Sequence, residues 1–436
     1  MRRNKLYAIG LVAALTATLT TVGPAVAQND VCPAEQSAPV DTAAVQSGLT
    51  YNNPDTGKRD DIAERIVYLI CGTERGETID VAAHMFAHTD IATALMEMAH
   101  RDVRVRIIVD RGAATGAEPH NYSEFERVKS SFDNSPGSTS WITTCELGSR
   151  ACIGGGGGED YDPEAKMHNK FLLFSRTRGT DKVVLQTSHN FKSGGSGTGM
   201  WNSAYTVADE PRVYDHYARY FEYLIAGEQH NDFYNMMPPS NLGKYSVYHS
   251  PRASGNTLLD ILNRVDCTKT SDTGGTDPGN YPIVRVAVWN ISGTLWESTG
   301  TVLARKLKAM DDQGCYVDVI VDKVGKGAGG NDGPLEALLR KPKGDHHGPE
   351  VREFYANSSK GGLHSKDILI DGYFDGKPDQ KVVFTGTFNF TGRSVRVSDE
   401  TQLEIRDAAV HDAFRSYFFE ARQAASLTWQ TSKFKR

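Results

Sequence analysis

Two segments of the chain each carry a histidine and a lysine two residues apart, just before an apolar run. They are His168 with Lys170 and His364 with Lys366. Side chains alternate across an extended strand, so the two members of each pair point to the same face and can reach one anionic group. The apolar residues that follow predict that each strand is buried in a sheet.

A turn of small residues and an asparagine follow each pair. Ser188 and Asn190 follow the first pair, and Gly386, Thr387 and Asn389 follow the second. A phosphodiester resists attack because its negative charge repels nucleophiles, and lysines and amide donors can neutralise its non-bridging oxygens. The repeated combination makes the chain a candidate for phosphodiester chemistry.

The two histidines can divide the reaction between them. One imidazole can attack phosphorus and form a covalent phosphohistidine, while the other starts protonated, gives its proton to the leaving alkoxide and later activates water. This scheme needs no cofactor, and the sequence shows no carboxylate cluster of the kind that holds a metal ion.

The beginning of the chain has the order of a secretory signal peptide. Residues 2–5 carry three basic side chains, residues 6–22 form an apolar run, and a small-residue stretch ends at Ala27, after which cleavage is expected. The apolar run is short and rich in threonine for a membrane anchor. We therefore predict a secreted protein with a signal peptide at residues 1–27 and a flexible arm at residues 28–50.

The net charge and the cysteines fit this prediction. Cleavage would change the formal net charge from −6 to −9, which argues against the global basic field of a typical nucleic-acid binder. Six cysteines in an exported chain predict disulfides, although they allow about fifteen pairings and the sequence does not choose among them. A zinc site is the alternative, but the spacings match no common ligand pattern. The pairing that we expect joins Cys145 to Cys152, Cys267 to Cys315, and Cys32 to Cys71.

Strand and helix patterns occur in the same order in both halves of the chain. At 436 residues the chain exceeds what one core usually holds, and the motif histidines lie 196 residues apart. Strong apolar strands end at Asp110 and Asp322, and residues 237–240 break the pattern. We interpret the chain as an internal duplication with lobes at residues 51–240 and 241–436, each a mixed, mostly parallel sheet flanked by helices. The predicted helices cover residues 89–100, 123–132, 211–226, 258–265, 300–310, 335–339 and 411–424.

The paired motifs resemble those of the phospholipase D superfamily, whose signature HxKxxxxD occurs twice, each time followed by a glycine/serine turn and an asparagine. The second copy matches in full through Asp371, whereas the first has Ser175 in place of the aspartate. The resemblance covers nearly the whole chain after the signal peptide. It implies a pseudo-twofold, two-lobed α/β enzyme with one active site between the lobes, and a motif aspartate that makes a structural contact outside the reaction centre.

The resemblance also implies a role for each histidine. In the superfamily the nucleophile is usually the first histidine, oriented by a carboxylate that lies after the asparagine of the other copy. Glu400, eleven residues past Asn389, stands at that place, while residues 201–205 of the first copy contain no acid. His168 is therefore the expected nucleophile and His364 the expected acid and base.

The expected site contains further residues whose roles have plainer alternatives. Asn190 and Asn389 could instead form turns, and Glu400 could be a surface carboxylate. His84, Phe86, Trp289 and Asn290 end equivalent strands, where they line the cleft or pack at its rim. The expected catalytic residues are His168, Lys170, Asn190, His364, Lys366, Asn389 and Glu400, and the expected substrate contacts are Ser188, Thr387 and Trp289.

Two features are interpreted without a catalytic role. Residues 154–158 are five consecutive glycines, which favour a mobile loop, with an active-site flap as the alternative. His189, His346 and His347 have no supporting pattern and are expected to be exposed.

The favoured interpretation is a secreted, monomeric, phospholipase D-type phosphodiesterase that cleaves phospholipid headgroup esters and contacts membrane surfaces transiently. Its first rival is a secreted nuclease of the same superfamily, which the acidic charge disfavours. Its second rival is a catalytically silent phosphate-binding protein, which the retention of both histidine–lysine pairs disfavours.

Overall fold

The computed structural model describes residues 30–33, 43–116, 118–135, 137–156, 161–269, 280–293, 299–327, 333–339, 348–354, 360–425 and 427–429. The expected signal peptide, part of the expected N-terminal arm, His346 and His347 lie outside these residues.

The first half of the chain forms one large sheet with helices packed on it. Its strands are β1 (Gly48–Asn52), β2 (Thr78–Ala83), β3 (Phe86–Ala87), β4 (Arg104–Val109), β5 (Trp141–Thr144), β6 (Lys170–Thr177), β7 (Thr180–Thr187), β8 (Phe191–Lys192) and β9 (Met200–Val207). Its helices are α1 (Asp61–Cys71), α2 (Thr89–His100), α3 (Gly112–Thr115), α4 (Phe125–Asp133), α5 (Pro211–Ala226) and α6 (Phe233–Met236), with a 3-10 turn at Pro119–Asn121.

The second half repeats this plan. Its strands are β10 (Tyr245–His249), β11 (Ile283–Gly293), β12 (Tyr316–Gly327), β13 (Glu350–Glu353), β14 (Gly362–Leu363), β15 (Lys366–Phe374), β16 (Lys377–Gly386), β17 (Thr401–Arg406) and β18 (Leu427–Trp429). Its helices are α7 (Thr257–Asn263), α8 (Thr299–Asp312), α9 (Pro334–Leu339), α10 (Gly392–Arg396) and α11 (Ala408–Ala424).

Strand order confirms that the two halves are copies of one fold. The first sheet runs β1-β9-β7-β6-β2-β4-β5, and the second runs β10-β17-β16-β15-β11-β12-β13-β18. Each strand of the first series has a counterpart in the second, and β18 is an addition at the edge. The two motif strands, β6 and β15, occupy the same central place in their sheets. The mixed α/β fold with two similar lobes is thus as predicted.

The expectation that each sheet is mostly parallel is wrong. Among the described strands, the parallel pairs of the first sheet are β2 with β4, β4 with β5 and the short β14 with β9, and those of the second are β11 with β12 and β12 with β13; the remaining pairs are antiparallel. Each motif strand instead turns directly into the next strand through a two-residue hairpin, at Arg178 and Gly179 in the first lobe and at Asp375 and Gly376 in the second. All four residues have positive φ, which is the backbone conformation of a tight hairpin, and a hairpin forces its two strands to run antiparallel.

Several predicted helices have the predicted bounds because their ends carry strong local signals. Helix α5 begins with Pro211, whose fixed φ suits the first helical position, and ends before Gly227, which has φ of 63°. Helix α2 buries Ile91, Leu95 and Met98, which recur on one face.

An apolar cluster joins the two lobes. Phe171 and Leu173 of β6 and Tyr205 of β9 belong to the same buried cluster as Leu369 of β15 and Leu403 of β17. The central strands of both sheets therefore pack against each other, and this packing fixes the distance between the two motifs.

Three disulfides are present, with the expected pairing. They join Cys32 to Cys71, Cys145 to Cys152, and Cys267 to Cys315. The third spans a sequence separation of 48 residues, for which loop-closure entropy gives roughly 4 kcal/mol of stabilisation. Among the described residues, no helix is long and apolar enough to cross a membrane.

Candidate active site

The two motif histidines are each held by the opposite lobe. The His168 N–H donates to the Asp399 carbonyl at 2.9 Å, and the His364 N–H donates to the Trp201 carbonyl at 2.8 Å. His168 and His364 each come two residues before their motif lysine, at the lobe interface, and both are almost fully buried. Neither lobe alone would position its histidine.

A carboxylate lies behind His168. The Nδ1 atom of His168 is 2.7 Å from Oε2 of Glu400, which is 1% exposed and also interacts with the hydroxyls of Thr387 and Ser394. A proton on Nδ1 bonds to this carboxylate, so the lone pair of Nε2 is left free for attack. The contact expected between Glu400 and His168 is therefore present, although the catalytic role of Glu400 stays a prediction.

A neutral amide lies behind His364 instead. The Nδ1 atom of His364 is 3.0 Å from the Ser188 carbonyl oxygen and 3.1 Å from Oδ1 of Asn202. Asn202 occupies the position that Glu400 occupies in the other copy, because each follows the residue whose carbonyl accepts the backbone N–H of the opposite motif histidine, Trp201 for His364 and Asp399 for His168. The imidazolium of His364 thus lacks the carboxylate that would hold on to its proton.

Both motif lysines are buried beside the histidines. The Nζ atom of Lys170 donates to the His168 carbonyl at 2.6 Å, and Nζ of Lys366 donates to the His364 carbonyl. Burial lowers the pKa of Lys170 to about 7, and burial together with the nearby Lys170 charge lowers the pKa of Lys366 well below its usual value. A bound anion would raise both lysine pKa values and so favour their charged forms.

The two motif histidines also have lowered pKa values. Burial, followed by the charges of Lys170 and Lys366, lowers the pKa of His168 well below its usual value, and His364 is affected in the same way. Both imidazoles are neutral in the empty site at neutral pH. A neutral ring is suited to attack, and a bound anion would raise the pKa of the ring that must act as an acid.

The two motif asparagines differ in their surroundings. Oδ1 of Asn190 is 3.2 Å from Nδ1 of His84, and Nδ2 of Asn190 donates to Ser196 at 2.8 Å. Asn389 is 6% exposed and lines the site cavity, and its Oδ1 has no hydrogen-bond partner in the described part of the chain. Asn389 is thus the asparagine whose side chain is open to a ligand. The catalytic roles of both stay predictions.

The residues expected to contact substrate fall into two groups. Ser188 and Thr387 are fully buried, and their hydroxyls bond to Asn202 and to the Thr401 carbonyl, so they support the histidines and their partners from behind. Trp289 lines the site cavity, and its ring centroid is 5.7 Å from that of His364. Of these three, Trp289 is the one placed where it can touch a ligand.

The position of His84 mirrors that of Trp289. His84 follows the first-lobe strand β2, is 3% exposed and has its ring centroid 4.7 Å from that of His168. Each motif histidine is therefore flanked by the ring that ends the neighbouring central strand.

The site cavity has a volume of about 240 Å³. Its lining combines the proposed nucleophile and its carboxylate with polar and charged side chains from both lobes, including Lys166, Glu164, Asn290, Asn389 and Arg393. Within the described residues, no group of three or more histidines, cysteines or acids is placed to hold a metal ion.

Asp399 is a buried residue of this site that sequence reasoning missed. Its carboxylate accepts the backbone N–H groups of Cys152 and Gly154 at 2.6 Å each and that of Ile153 at 3.2 Å, while its carbonyl holds His168. These partners lie about 245 residues away in the sequence, so no local pattern indicates the contact. Asp399 ties the Cys145–Cys152 loop to the first motif.

The interpretation of residues 154–158 as a mobile loop is wrong for the glycines that the structure describes. Gly154 and Gly155 are buried, the Gly155 N–H donates to the Val397 carbonyl, and a side chain on Gly154 would meet that carbonyl oxygen at 2.0 Å. Gly154 is glycine because the backbone of the other lobe passes too close for a Cβ atom.

His189 is also placed differently from the expectation. It is 0% exposed, and burial lowers its pKa to about 3. The Ser188–Asn190 turn continues directly from the buried strand β7, and the His189 N–H donates to Thr187 at 3.0 Å, so the whole turn is enclosed.

Ser175, which stands where the motif has an aspartate, lies away from the reaction centre. Its hydroxyl donates to Glu77 at 2.6 Å and accepts the Thr78 N–H at 2.7 Å. Asp371, its counterpart, is buried near the charges of Lys381 and Arg285, at the other end of β15 from His364. The change from aspartate to serine removes no group from the cavity.

A duplicated α/β fold that brings two histidine–lysine strands together at the lobe interface defines the class of the protein. The sequence model described as "Cardiolipin synthase, PLD-like domain" matches residues 70–225 and 287–422, which are about two thirds of the chain. The chain therefore belongs to the PLD-like family, within the phospholipase D superfamily of phosphodiester-acting proteins.

Solved structures share this fold at low sequence identity. Phosphatidylserine synthase from Haemophilus influenzae Rd KW20 has a TM-score of 0.55 and 12% identity, with 90% of this chain and 89% of the synthase covered. Polyphosphate kinase from Porphyromonas gingivalis has a TM-score of 0.52 and 13% identity, with 86% of this chain covered. The chain spans only half of that kinase, 50% of its length.

Nuc, a phospholipase D family member from Salmonella typhimurium, has 15% identity and a TM-score of 0.30, with 42% of this chain and 96% of Nuc covered. Identities this low show the fold alone. No curated protein sequence matches the chain.

The contact between Glu400 and His168 leads to a testable prediction. Glu400→Gln should lower kcat by roughly 10²–10⁴-fold and change KM little, because an amide can donate to Nδ1 and favour the tautomer that lacks a free Nε2 lone pair. Steady-state rates on a soluble phosphodiester would measure this. Glu228→Gln, at an exposed position, should keep the original rate. A full rate in Glu400→Gln with an unchanged melting temperature would contradict the orienting role.

The lowered lysine pKa values predict that anion binding takes up protons. Lys170 is mostly neutral at pH 8 in the empty site, since its pKa is about 7, and a bound phosphate would raise that pKa. Binding of inorganic phosphate at pH 8 should take up at least about one proton, and affinity should fall as pH rises above 7, by up to about tenfold per pH unit.

Calorimetry in buffers of different ionisation enthalpy measures this uptake. Lys170→Met should lower the uptake, with Lys366 supplying what remains, and Lys377→Met, at an exposed position at the start of β16, should keep the original uptake. Proton-neutral binding by the original protein at pH 8 would contradict the assigned charge states.

Proposed function

We propose that the protein is a secreted phospholipase D-type phosphodiesterase that cleaves phospholipid headgroup esters through a phosphohistidine at His168. One observation carries the proposal. Two histidines, each beside a buried lysine, lie close to each other at the lobe interface, and only His168, which lines the cavity, has a carboxylate behind its ring, at 2.7 Å. This asymmetry assigns different tasks to two otherwise equivalent groups.

The first half-reaction forms the phosphohistidine. Nε2 of His168 attacks phosphorus, the bond from phosphorus to the headgroup oxygen breaks, and His364 gives its proton to that oxygen. Lys170, Lys366 and the amide of Asn389 neutralise the non-bridging oxygens as the charge is redistributed. Glu400 stabilises the ring of His168 while it carries the phosphoryl group.

The second half-reaction restores the enzyme. His364, now neutral, takes a proton from water, the water oxygen bonds to phosphorus, and the bond from phosphorus to His168 breaks. An alcohol in place of water would give transfer of the phosphatidyl group. The scheme uses no metal or other cofactor.

Localisation and partners are part of the proposal. Residues 1–27 have the order of a signal peptide, and three disulfides suit an oxidising compartment. The acidic net charge favours a phospholipid over a nucleic acid as the substrate. We expect a monomer that contacts the membrane surface transiently.

The test uses the protein that begins at residue 28, in chelator. It is incubated with vesicles that contain several phospholipids, with and without ethanol, and separately with plasmid DNA. Release of phosphatidic acid, and of phosphatidylethanol when ethanol is present, supports the proposal. Cleavage of DNA without any cleavage of lipid would overturn it in favour of the nuclease. Binding of phosphate with no turnover of either substrate would favour the silent binder.

A further inference from the structure

Two amide oxygens in the site cavity lack hydrogen-bond partners. Oδ1 of Asn290 and Oδ1 of Asn389 are buried without a donor in the part of the chain that the structure describes, and both residues line the cavity. A buried acceptor left unpaired is costly, so a pair of them at a ligand site indicates a ligand that brings donors. A phosphate group carries acceptors and cannot meet this need.

Asn290 and Trp289 both line the cavity, so a headgroup that leaves beside His364 lies within reach of Asn290. An in-line displacement places the leaving oxygen opposite His168 and next to His364, which protonates it. Trp289 lines the cavity with its ring centroid 5.7 Å from that of His364, and Asn290 is the next residue along β11. The Asn290 carbonyl accepts the Phe390 N–H at 3.0 Å, which fixes the backbone at this point.

The size and charge of the cavity narrow the choice of leaving group. At about 240 Å³ it is smaller than the roughly 300–1,000 Å³ of pockets for drug-sized ligands, so it suits a small headgroup rather than acyl chains. Its lining holds Glu164 as well as Lys166, and Arg393 is paired with Asp162 at 2.6 Å. Charges of both signs nearly balance, so hydrogen-bond donors rather than net charge decide which headgroup fits.

We propose that Asn290, with Asn389, selects phospholipid headgroups that carry N–H or O–H donors, and disfavours a quaternary ammonium, which has none. This inference rests on the proposed function. A trimethylammonium group would leave the Asn290 oxygen unpaired, whereas a primary ammonium or a hydroxyl would pair with it. Such a site discriminates against the analogue that lacks a donor.

The experiment compares kcat/KM for phosphatidylethanolamine, phosphatidylglycerol and phosphatidylcholine at equal mole fraction in the same mixed vesicles. The ethanolamine and choline lipids are both zwitterionic, so their comparison isolates the donors, and the glycerol lipid separates hydroxyl from ammonium recognition. We expect both donor-bearing lipids to exceed the choline lipid by about 10- to 100-fold.

Variants distinguish a loss of headgroup recognition from a general loss of activity. Asn290→Ala should bring the ethanolamine-to-choline ratio of kcat/KM close to one, and Asn290→Asp, which keeps an acceptor, should retain the preference. Asn263→Ala, at an exposed position at the end of α7, is the matched control and should keep the original ratio.

The outcomes are distinguishable from failure of the proposed function. Cleavage of all three lipids at equal kcat/KM, or a ratio that Asn290→Ala leaves unchanged, overturns the inference alone. Absence of cleavage of every lipid overturns the proposed function and the inference together.

Discussion

Replacement of His168 by alanine is expected to lower kcat by on the order of 10⁴–10⁶-fold, because it removes the atom that forms the covalent bond to phosphorus. His168 is held at two points. Its backbone N–H donates to the Asp399 carbonyl, and its ring Nδ1 contacts the Glu400 carboxylate. Neither of the neighbouring imidazoles is placed to replace it, since His364 has a neutral amide behind its Nδ1 and His84 is engaged with Asn190. Rates of phosphatidic acid release would measure the loss.

The control for this variant is a histidine outside the cavity. His120→Ala, at an exposed position, should retain the original rate. His168→Ala should keep its ability to bind inorganic phosphate, because Lys170 and Lys366 are untouched. If His168→Ala retained a tenth or more of the original rate, another group would have to be the nucleophile.

Replacement of His364 by alanine should have a large effect that depends on the leaving group. With a choline or ethanolamine leaving group, kcat should fall by roughly 10²–10⁴-fold, because an alkoxide leaves poorly without a proton. With a nitrophenolate leaving group, which needs no proton, the first half-reaction should proceed at nearly the original rate. The second half-reaction should be slow, because water lacks its general base.

Stopped-flow absorbance on phosphatidyl-p-nitrophenol separates these steps. We expect His364→Ala to release about one equivalent of nitrophenolate per chain in a burst and then to turn over slowly. Equal losses for alkyl and nitrophenyl leaving groups would contradict the acid role of His364.

Much of the fold could be predicted because the chain repeats itself. The order of strands and helices, the bounds of α2 and α5, and the central place of both motif strands follow from local periodicity and end signals. The direction of the strands did not follow, because it depends on two-residue turns such as Asp375-Gly376. Their positive φ values reverse the chain within two residues, so each motif strand and the next strand run antiparallel.

The site could be predicted only as far as its residues lie close in sequence to the motifs. The histidine–lysine pairs, the asparagines and Glu400 stand at characteristic offsets. Asp399 does not, because its carboxylate reaches its partners across the lobe interface, over a separation of about 245 residues. The conformation of Gly154 was missed for the same reason, since Val397, which leaves no room for a side chain there, belongs to the other lobe.

The covalent intermediate is the central claim, and its most direct test is the mass of the trapped protein. His364→Ala is mixed with phosphatidyl-p-nitrophenol, quenched during the burst, and examined by intact mass and peptide mapping. We predict one phosphatidyl adduct per chain, located on His168, and no adduct in His168→Ala under the same conditions. An adduct on His364 in the His168→Ala protein, or a burst of nitrophenolate without any adduct on His168, would contradict the account.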